Sequence, residues 1–178
     1  MTEEYSRHIL IVDDDPIILD SLKDFMSRNG CIVTLAASAE EALTILKTED
    51  IDIVLADIVL PEMDGLELTD KILKDFDAEV IVMTGYLDDF SYEAAISKGA
   101  SDFVFKPIRL EELQLRMNRV LREKELSQER DEVVERLKEL SITDGLTGLY
   151  NSRHFYTQLN WEVDRSSRYL HPLSLLLL

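Results

Sequence analysis

Five short apolar segments divide the first part of the chain, and each ends at a polar residue or a turn. Runs of this kind, apolar throughout rather than alternating, are typical of strands buried on both faces of a parallel sheet. The predicted strands are ILIV at 9–12, CIVTLAA at 31–37, IDIVLA at 51–56, EVIVMT at 79–84 and DFVF at 102–105.

The segments between these runs have helical spacing and helix-end signals. Asp15 followed by Pro16 predicts an N-cap and a first turn, and Ser38 with Glu41 has the spacing of a capping box. Further helices are predicted over 67–76 and 88–100. Parallel strands need crossover connections, so the alternation predicts a doubly wound, five-stranded parallel sheet with helices on both faces.

The carboxyl ends of these predicted strands carry the residues with candidate chemistry. In such sheets ligands bind beyond the carboxyl ends, where acidic, hydroxyl and amine groups would converge. Carboxylates are suitable ligands for Mg²⁺, and Asp57 is the candidate nucleophile. The Thr84 hydroxyl would donate a hydrogen bond, and Lys106 would provide a positive charge. Asp13 and Asp14 taken alone are also explained as acidic residues at a helix start; the combination favours a site. The candidates are Asp13, Asp14, Asp57, Thr84 and Lys106.

Residues 8–122 resemble the receiver domains of two-component response regulators. The likeness rests on IVDDD, LADIVLPEMDG, VMTG and GASDFVFKP. It implies a flavodoxin-like fold and phosphorylation of Asp57 by a sensor histidine kinase or phosphotransfer protein. It also implies Mg²⁺ held directly by Asp14, Asp57 and the carbonyl of Val59, with Asp13 acting through water.

The same resemblance assigns roles in switching and in loss of the phosphoryl group. Thr84 and Phe103 fall at the switch positions, and a Phe there lacks the hydroxyl of the alternative Tyr. Lys106-Pro107 corresponds to a cis peptide. Val59 and Tyr86 would flank the hydrolytic water without orienting it, which predicts slow dephosphorylation.

A long helix with neither Gly nor Pro is predicted over 109–140, continuous with the last receiver helix. Its apolar positions recur at spacings of three and four in two registers, which predicts a parallel homodimeric coiled coil. The predicted domains are a receiver at 1–122, this linker helix and a partial second domain at 141–178. The two registers are Leu110, Leu113, Met117, Val120 and Leu126, Arg130, Val133, Leu137, Leu140.

The tail sequence DGLTGLYNSRHF resembles the opening signature of diguanylate cyclase (GGDEF) domains. Ser152 replaces the first Arg of that signature, and the metal-binding Asp and GGDEF loop of the family are absent from 141–178. Asn151 is expected to cap a helix, and 172–178 is expected to begin a strand. The resemblance implies that the full-length protein makes cyclic di-GMP from GTP, although these residues contain no cyclase active site.

Charge and composition exclude several other classes. The formal charge of −17 disfavours binding to nucleic acid. A single cysteine, no signal-peptide pattern and no apolar run approaching ~20 residues favour a cytoplasmic protein without a membrane span.

Two other functions remain to be compared with a response regulator that drives a cyclase. A non-catalytic, phosphorylation-dependent dimerising adaptor would need only the receiver and the linker helix. An aspartate-phosphorylating hydrolase would carry its nucleophile after the first strand with a second Asp two positions on, whereas Asp57 follows the third strand. In the preferred interpretation this chain catalyses only its own phosphorylation.

Overall fold

The computed structural model describes residues 6–85, 98–144 and 146–176. Its five strands form one parallel sheet in the order β2-β1-β3-β4-β5. The predicted doubly wound, flavodoxin-like fold class is therefore confirmed. The strands are β1 (His8–Val12), β2 (Ile32–Ala36), β3 (Ile53–Asp57), β4 (Glu79–Thr84) and β5 (Asp102–Phe105).

Helices cover both faces of the sheet, as crossover connections between parallel strands require. The helix predicted over 88–100 falls largely outside the described residues. Across the described part of the chain the helices are α1 (Pro16–Arg28), α2 (Ala39–Ile45), α3 (Gly65–Asp75), α4 (Leu110–Ile142) and α5 (Ser152–Tyr169).

The predicted helix starts are largely correct. The Asp15 carboxylate accepts from the Ile17 N–H at 2.8 Å, and the Ser38 hydroxyl accepts from the Glu41 N–H at 3.2 Å. The Glu41 carboxylate reaches back to the N–H of Ala37 rather than to that of Ser38. The capping box is thus formed with its return bond shifted by one residue.

The alternate residues of each strand face two separate apolar layers. One layer contains Leu10 and Val12 with α2 and α3, and the other contains Ile9 and Ile11 with α1 and the first part of α4. Strands buried on both faces in this way explain why their sequences are apolar throughout. The first turns of α4 contribute the buried residues Leu113, Met117, Val120 and Leu121.

The chain divides into two compact units, Met1–Lys124 and Glu125–Leu178. Within the second unit, Asn151 caps α5 by accepting from the His154 N–H at 2.9 Å. The strand predicted from residue 172 is not formed over the described residues 172–176. A strand needs a hydrogen-bonding neighbour, and the second unit has only an isolated bridge between Thr143 and Tyr150 among its described residues.

No helix among the described residues combines the length and apolar character that a membrane span requires.

Candidate functional site

Four strand ends meet at one edge of the sheet and bring the predicted polar groups together. Asp13 follows β1, Asp57 and Thr84 end β3 and β4, and Lys106 follows β5. Asp13 is fully buried, and Asp57 and Thr84 are buried as well. The Lys106 ammonium donates to Asp13 Oδ2 and to Asp57 Oδ2, each at 2.8 Å. One partly buried lysine therefore bridges two carboxylates that would otherwise repel each other.

Backbone hydrogen bonds continue past the ends of the strands and hold these residues in place. The Asp13 N–H donates to the Ala36 carbonyl at 3.2 Å, and the Lys106 N–H donates to the Thr84 carbonyl at 2.7 Å. The Ile58 N–H likewise donates to the Met83 carbonyl at 3.0 Å. The site side chains thus project from backbone that is fixed by the sheet, and the Lys106-Pro107 peptide bond is cis, as expected.

Three carboxylates form a cluster with the geometry of a cation site. Ligand oxygens of Asp13, Asp14 and Asp57 all lie within 4.8 Å of one another, and only Asp14 is exposed. The second oxygen of Asp13 accepts from the N–H of Asp15 at 2.9 Å, which fixes the carboxylate in orientation. Hard oxygen donors of this number suit Mg²⁺, which usually takes one or two carboxylates together with water and phosphoryl oxygens.

Burial and charge act in opposite directions on the two central groups. The pKa of Asp57 lies above its ordinary value because burial, with a smaller contribution from the neighbouring Asp13 charge, raises it by more than the Lys106 hydrogen bond and charge and the N–H of Val59 lower it. For Lys106, burial lowers the pKa, but the hydrogen bonds to Asp13 and Asp57 and the charges of these two carboxylates together raise it above its ordinary value. The lysine therefore stays charged at neutral pH and offsets the crowded acids.

Gly65 is a site residue that the sequence analysis did not identify. It opens α3, and its N–H donates to the Ile58 carbonyl at 2.9 Å. A Cβ at this position would lie 2.0 Å from the carbonyl oxygen of Asp57. Only glycine permits this approach of the helix to the strand end, and the signal in the sequence was the Asp-Gly pair after Met63.

A third buried acid, which the sequence analysis also did not identify, lies beside the predicted switch residue Phe103. Asp102 is buried and accepts from Arg116 at 3.1 Å and from Arg119 at 2.8 Å. The Arg116 guanidinium also lies 5.8 Å from the centre of the Phe103 ring. Phe103 packs edge-on against Phe105. The spacing of Arg116 and Arg119 on one helix face was the available signal.

Two of the predicted site residues, Val59 and Tyr86, have roles that the structure does not test. The Val59 side chain is 57% exposed next to the site, and its N–H hydrogen-bonds the Asp57 carboxylate. Tyr86 lies outside the described residues. Their role in loss of the phosphoryl group stays a prediction.

Residues 9–118 match the family model described as the response regulator receiver domain. The chain belongs to the response regulator receiver family. A solved receiver domain protein (CheY-like) from Methanospirillum hungatei shares 34% sequence identity with a TM-score of 0.65, covering 68% of this chain and 98% of that one. The receiver assignment and the fold are therefore supported by two separate comparisons.

Curated relatives match this chain over only part of their own length. The heme response regulator HssR of Staphylococcus saprophyticus is 37% identical over 113 residues, covering 64% of this chain and 50% of the relative. A cyclic di-GMP phosphodiesterase of Thermotoga maritima is 33% identical over 131 residues, covering 73% of this chain and 35% of that protein. The chain spans half or less of the length of these relatives.

Proposed function

We propose that Asp57 accepts a phosphoryl group from a sensor histidine kinase or a phosphotransfer protein in a Mg²⁺-dependent reaction. The observation that carries the proposal is the bridging of Asp57 and Asp13 by one partly buried lysine at the carboxyl edge of the sheet. A structural ion pair would need one acid for one lysine. Here three carboxylates cluster together and one ammonium contacts two of them, which leaves negative charge to be balanced by a cation.

The chemistry follows from these groups. An Asp57 oxygen attacks phosphorus, the bond from phosphorus to the donor's nitrogen breaks, and an acyl phosphate forms. Asp13, Asp14 and Asp57 would hold Mg²⁺, which when bound neutralises charge between the carboxylate and the incoming phosphate. Lys106 provides a second positive charge and the Thr84 hydroxyl a donor for the transferred oxygens.

Intact-mass measurement after incubation with a small phosphodonor tests this step. The parent should gain one phosphoryl group, and a chelator should prevent the gain. The Asp57→Ala variant should not be labelled, whereas the Asp70→Ala variant, which alters an acid outside the cluster on α3, should be labelled like the parent. Full labelling of Asp57→Ala, or labelling unaffected by the chelator, would refute the assignment.

We further propose that α4 carries the signal through a parallel homodimer formed by residues 109–140. Beyond residue 125 this helix presents apolar side chains that are largely exposed, including Leu126, Val133 and Leu137. Exposed apolar residues at spacings of three and four are typical of a coiled-coil seam. Light scattering with and without beryllofluoride as a phosphoryl mimic is the test; a monomer in both states at micromolar concentrations would contradict it.

The output that best fits the tail is a diguanylate cyclase. In this tail the Asp144 carboxylate accepts from the Thr147 N–H at 3.0 Å and from the Thr147 hydroxyl at 2.8 Å, contacts that form a turn. Gly148 adopts a positive φ of 70°, and Asn151 then caps α5. These contacts give a physical reason for the Asp, Thr, Gly and Asn of the signature, because each of them builds the turn.

The alternative output is a dimerising adaptor without catalysis, which the exposed face of α4 would support by itself. The two are separated by assaying this chain together with the residues encoded after Leu178. Conversion of GTP to cyclic di-GMP that responds to phosphorylation supports the cyclase. Phosphorylation-dependent dimerisation with no conversion of GTP supports the adaptor.

A further inference from the structure

The exposed stripe of α4 contains one cation among its apolar residues. Leu126, Arg130, Val133 and Leu137 follow one another at spacings of four, three and four. The three apolar members are exposed by 55%, 53% and 60%, and the Arg130 side chain is exposed by 68%. A seam that only needed stability would have an apolar residue at position 130.

The spacing assigns each residue to a heptad position. A step of four followed by a step of three places Leu126 and Val133 at d, and Arg130 and Leu137 at a. Leucine at a with a β-branched residue at d shifts coiled coils from two strands towards four. Val133 at d with Leu137 at a is such a combination, whereas Leu126 at d also suits two strands. The apolar residues of this seam therefore do not by themselves hold the assembly to a dimer, and the Val133 and Leu137 layers carry a tendency towards larger assemblies.

Arg130 acts against that tendency. In a core of three or four strands the guanidinium would be enclosed, and burying an unpaired charge is costly. In a two-stranded coil the a position lies close to the edge of the seam, so a long side chain keeps its charged end in water. A single charged residue at a is known to specify oligomer state and register at a cost in stability.

The neighbouring residue provides a partner of opposite charge. In a parallel dimer an a residue packs into a hole that includes the preceding g residue of the other helix, which here is Glu129. Within its own chain Arg130 contacts Asp131 at 2.8 Å and Ser127 at 3.3 Å. Arg130 and Asp131 are both well exposed, and exposed pairs of this kind are weak. The guanidinium is thus free to exchange that contact for one across the dimer.

We propose that Arg130 restricts this helix to a parallel, in-register, two-stranded dimer by pairing with Glu129 of the partner subunit. The inference rests on the dimer proposed above and adds the residue that sets its size and register. The occupant of the exposed stripe is a second copy of this chain, because Arg130 and Glu129 are complementary only when the same segment faces itself in parallel.

Sedimentation of the 178-residue chain in the presence of beryllofluoride tests the proposal. The parent should sediment at twice the chain mass of 20.5 kDa, whereas Arg130→Leu should shift to about four times that mass. Lys138→Leu is the matched control, since it removes the same charge and adds the same side chain at heptad position b; it should stay a dimer. Arg130→Lys should also stay a dimer.

A charge exchange tests the predicted pair directly. Glu129→Arg alone should weaken the dimer about tenfold or more, since it places like charges together. The double variant Glu129→Arg with Arg130→Glu should recover most of the parent's affinity.

Arg130→Leu remaining a dimer, or no recovery in the double variant, would overturn this inference while leaving the dimer itself intact. A parent that stays monomeric in both states would instead refute the proposed dimer and this inference with it.

Discussion

Gly65→Ala is the substitution that most directly tests how α3 is placed against β3, the strand that ends at Asp57. The added Cβ would lie 2.0 Å from the Asp57 carbonyl oxygen and 2.8 Å from its carbonyl carbon. Ordinary contacts between such atoms are more than 3 Å long, so helix and strand must separate by about 1 Å. The neighbouring atoms are backbone, and no side-chain rotation can relieve the overlap.

The expected cost can be worked from this overlap. Overpacking typically costs about 1–3 kcal/mol, and a clash with backbone places this variant at the upper end. Alanine in a helix regains at most about 1 kcal/mol relative to glycine. The net loss is then about 2 kcal/mol, or roughly a 1 M decrease in the urea midpoint for a slope near 2 kcal/mol/M. A displacement of Asp57 by about 1 Å should also slow phosphorylation by up to about 10²-fold.

Urea unfolding and intact-mass phosphorylation kinetics measure the two effects. Gly85→Ala is the matched control, because a Cβ there would meet no atom of the described residues within 4 Å, and it should leave both quantities near those of the parent. An unchanged midpoint together with an unchanged rate in Gly65→Ala would refute the close approach on which the reasoning depends.

Three further predictions follow from the site and its surroundings. Because burial raises the pKa of Asp57 above its ordinary value of 3.8, protonation of this group favours the folded state. Without metal, the stability of the parent relative to Asp57→Asn should therefore fall as pH rises through the raised pKa. Urea midpoints of the two proteins that differ by a constant amount across pH would contradict this. Val59→Asn, Tyr86→Glu and their double variant should lose the phosphoryl group faster than the parent, by up to about 10²-fold in the double variant; no acceleration in any of them would show that these positions do not set the lifetime. Replacing Arg116 and Arg119 together by Gln leaves the Asp102 carboxylate buried without its partners and should lower the free energy of unfolding by about 2–3 kcal/mol. The loss is smaller than for a fully buried pair because the arginines are partly exposed. Lys74→Ala, which breaks an exposed pair, should lower it by less than about 0.5 kcal/mol in the same unfolding assay.

The strands were predictable because burial on both faces makes each of them apolar throughout. The end of α2 at Ile45 could not be predicted, because the helical pattern of polar and apolar residues continues beyond it. In the structure the Lys47 and Thr48 N–H groups bond to Thr44 and Ile45, three residues back. Such tightening of a last turn depends on local backbone geometry that residue spacing does not reveal.

The positions of Asp13, Asp57, Thr84 and Lys106 could be predicted because each ends or follows a buried strand. The clustering of Asp102 with the arginines of α4 could not, since it depends on how α4 packs against β5. At 172–176, by contrast, the sequence predicted a strand that the structure does not form. The composition of this segment suits a strand, but pairing depends on a neighbour that composition does not report.

The uninterrupted course of α4 from Leu110 to Ile142 constrains how the linker can change in length. The helix is fixed at its beginning by buried residues such as Leu113 and Met117, and each residue added later turns everything downstream by about 100°. Insertions of about seven residues, close to two helical turns, leave the seam pointing in the same direction, whereas insertions of one or two residues rotate it to another side of the helix. Linker helices of this kind should therefore differ in length among relatives by steps of about seven residues, because only those steps keep the seam in the same orientation.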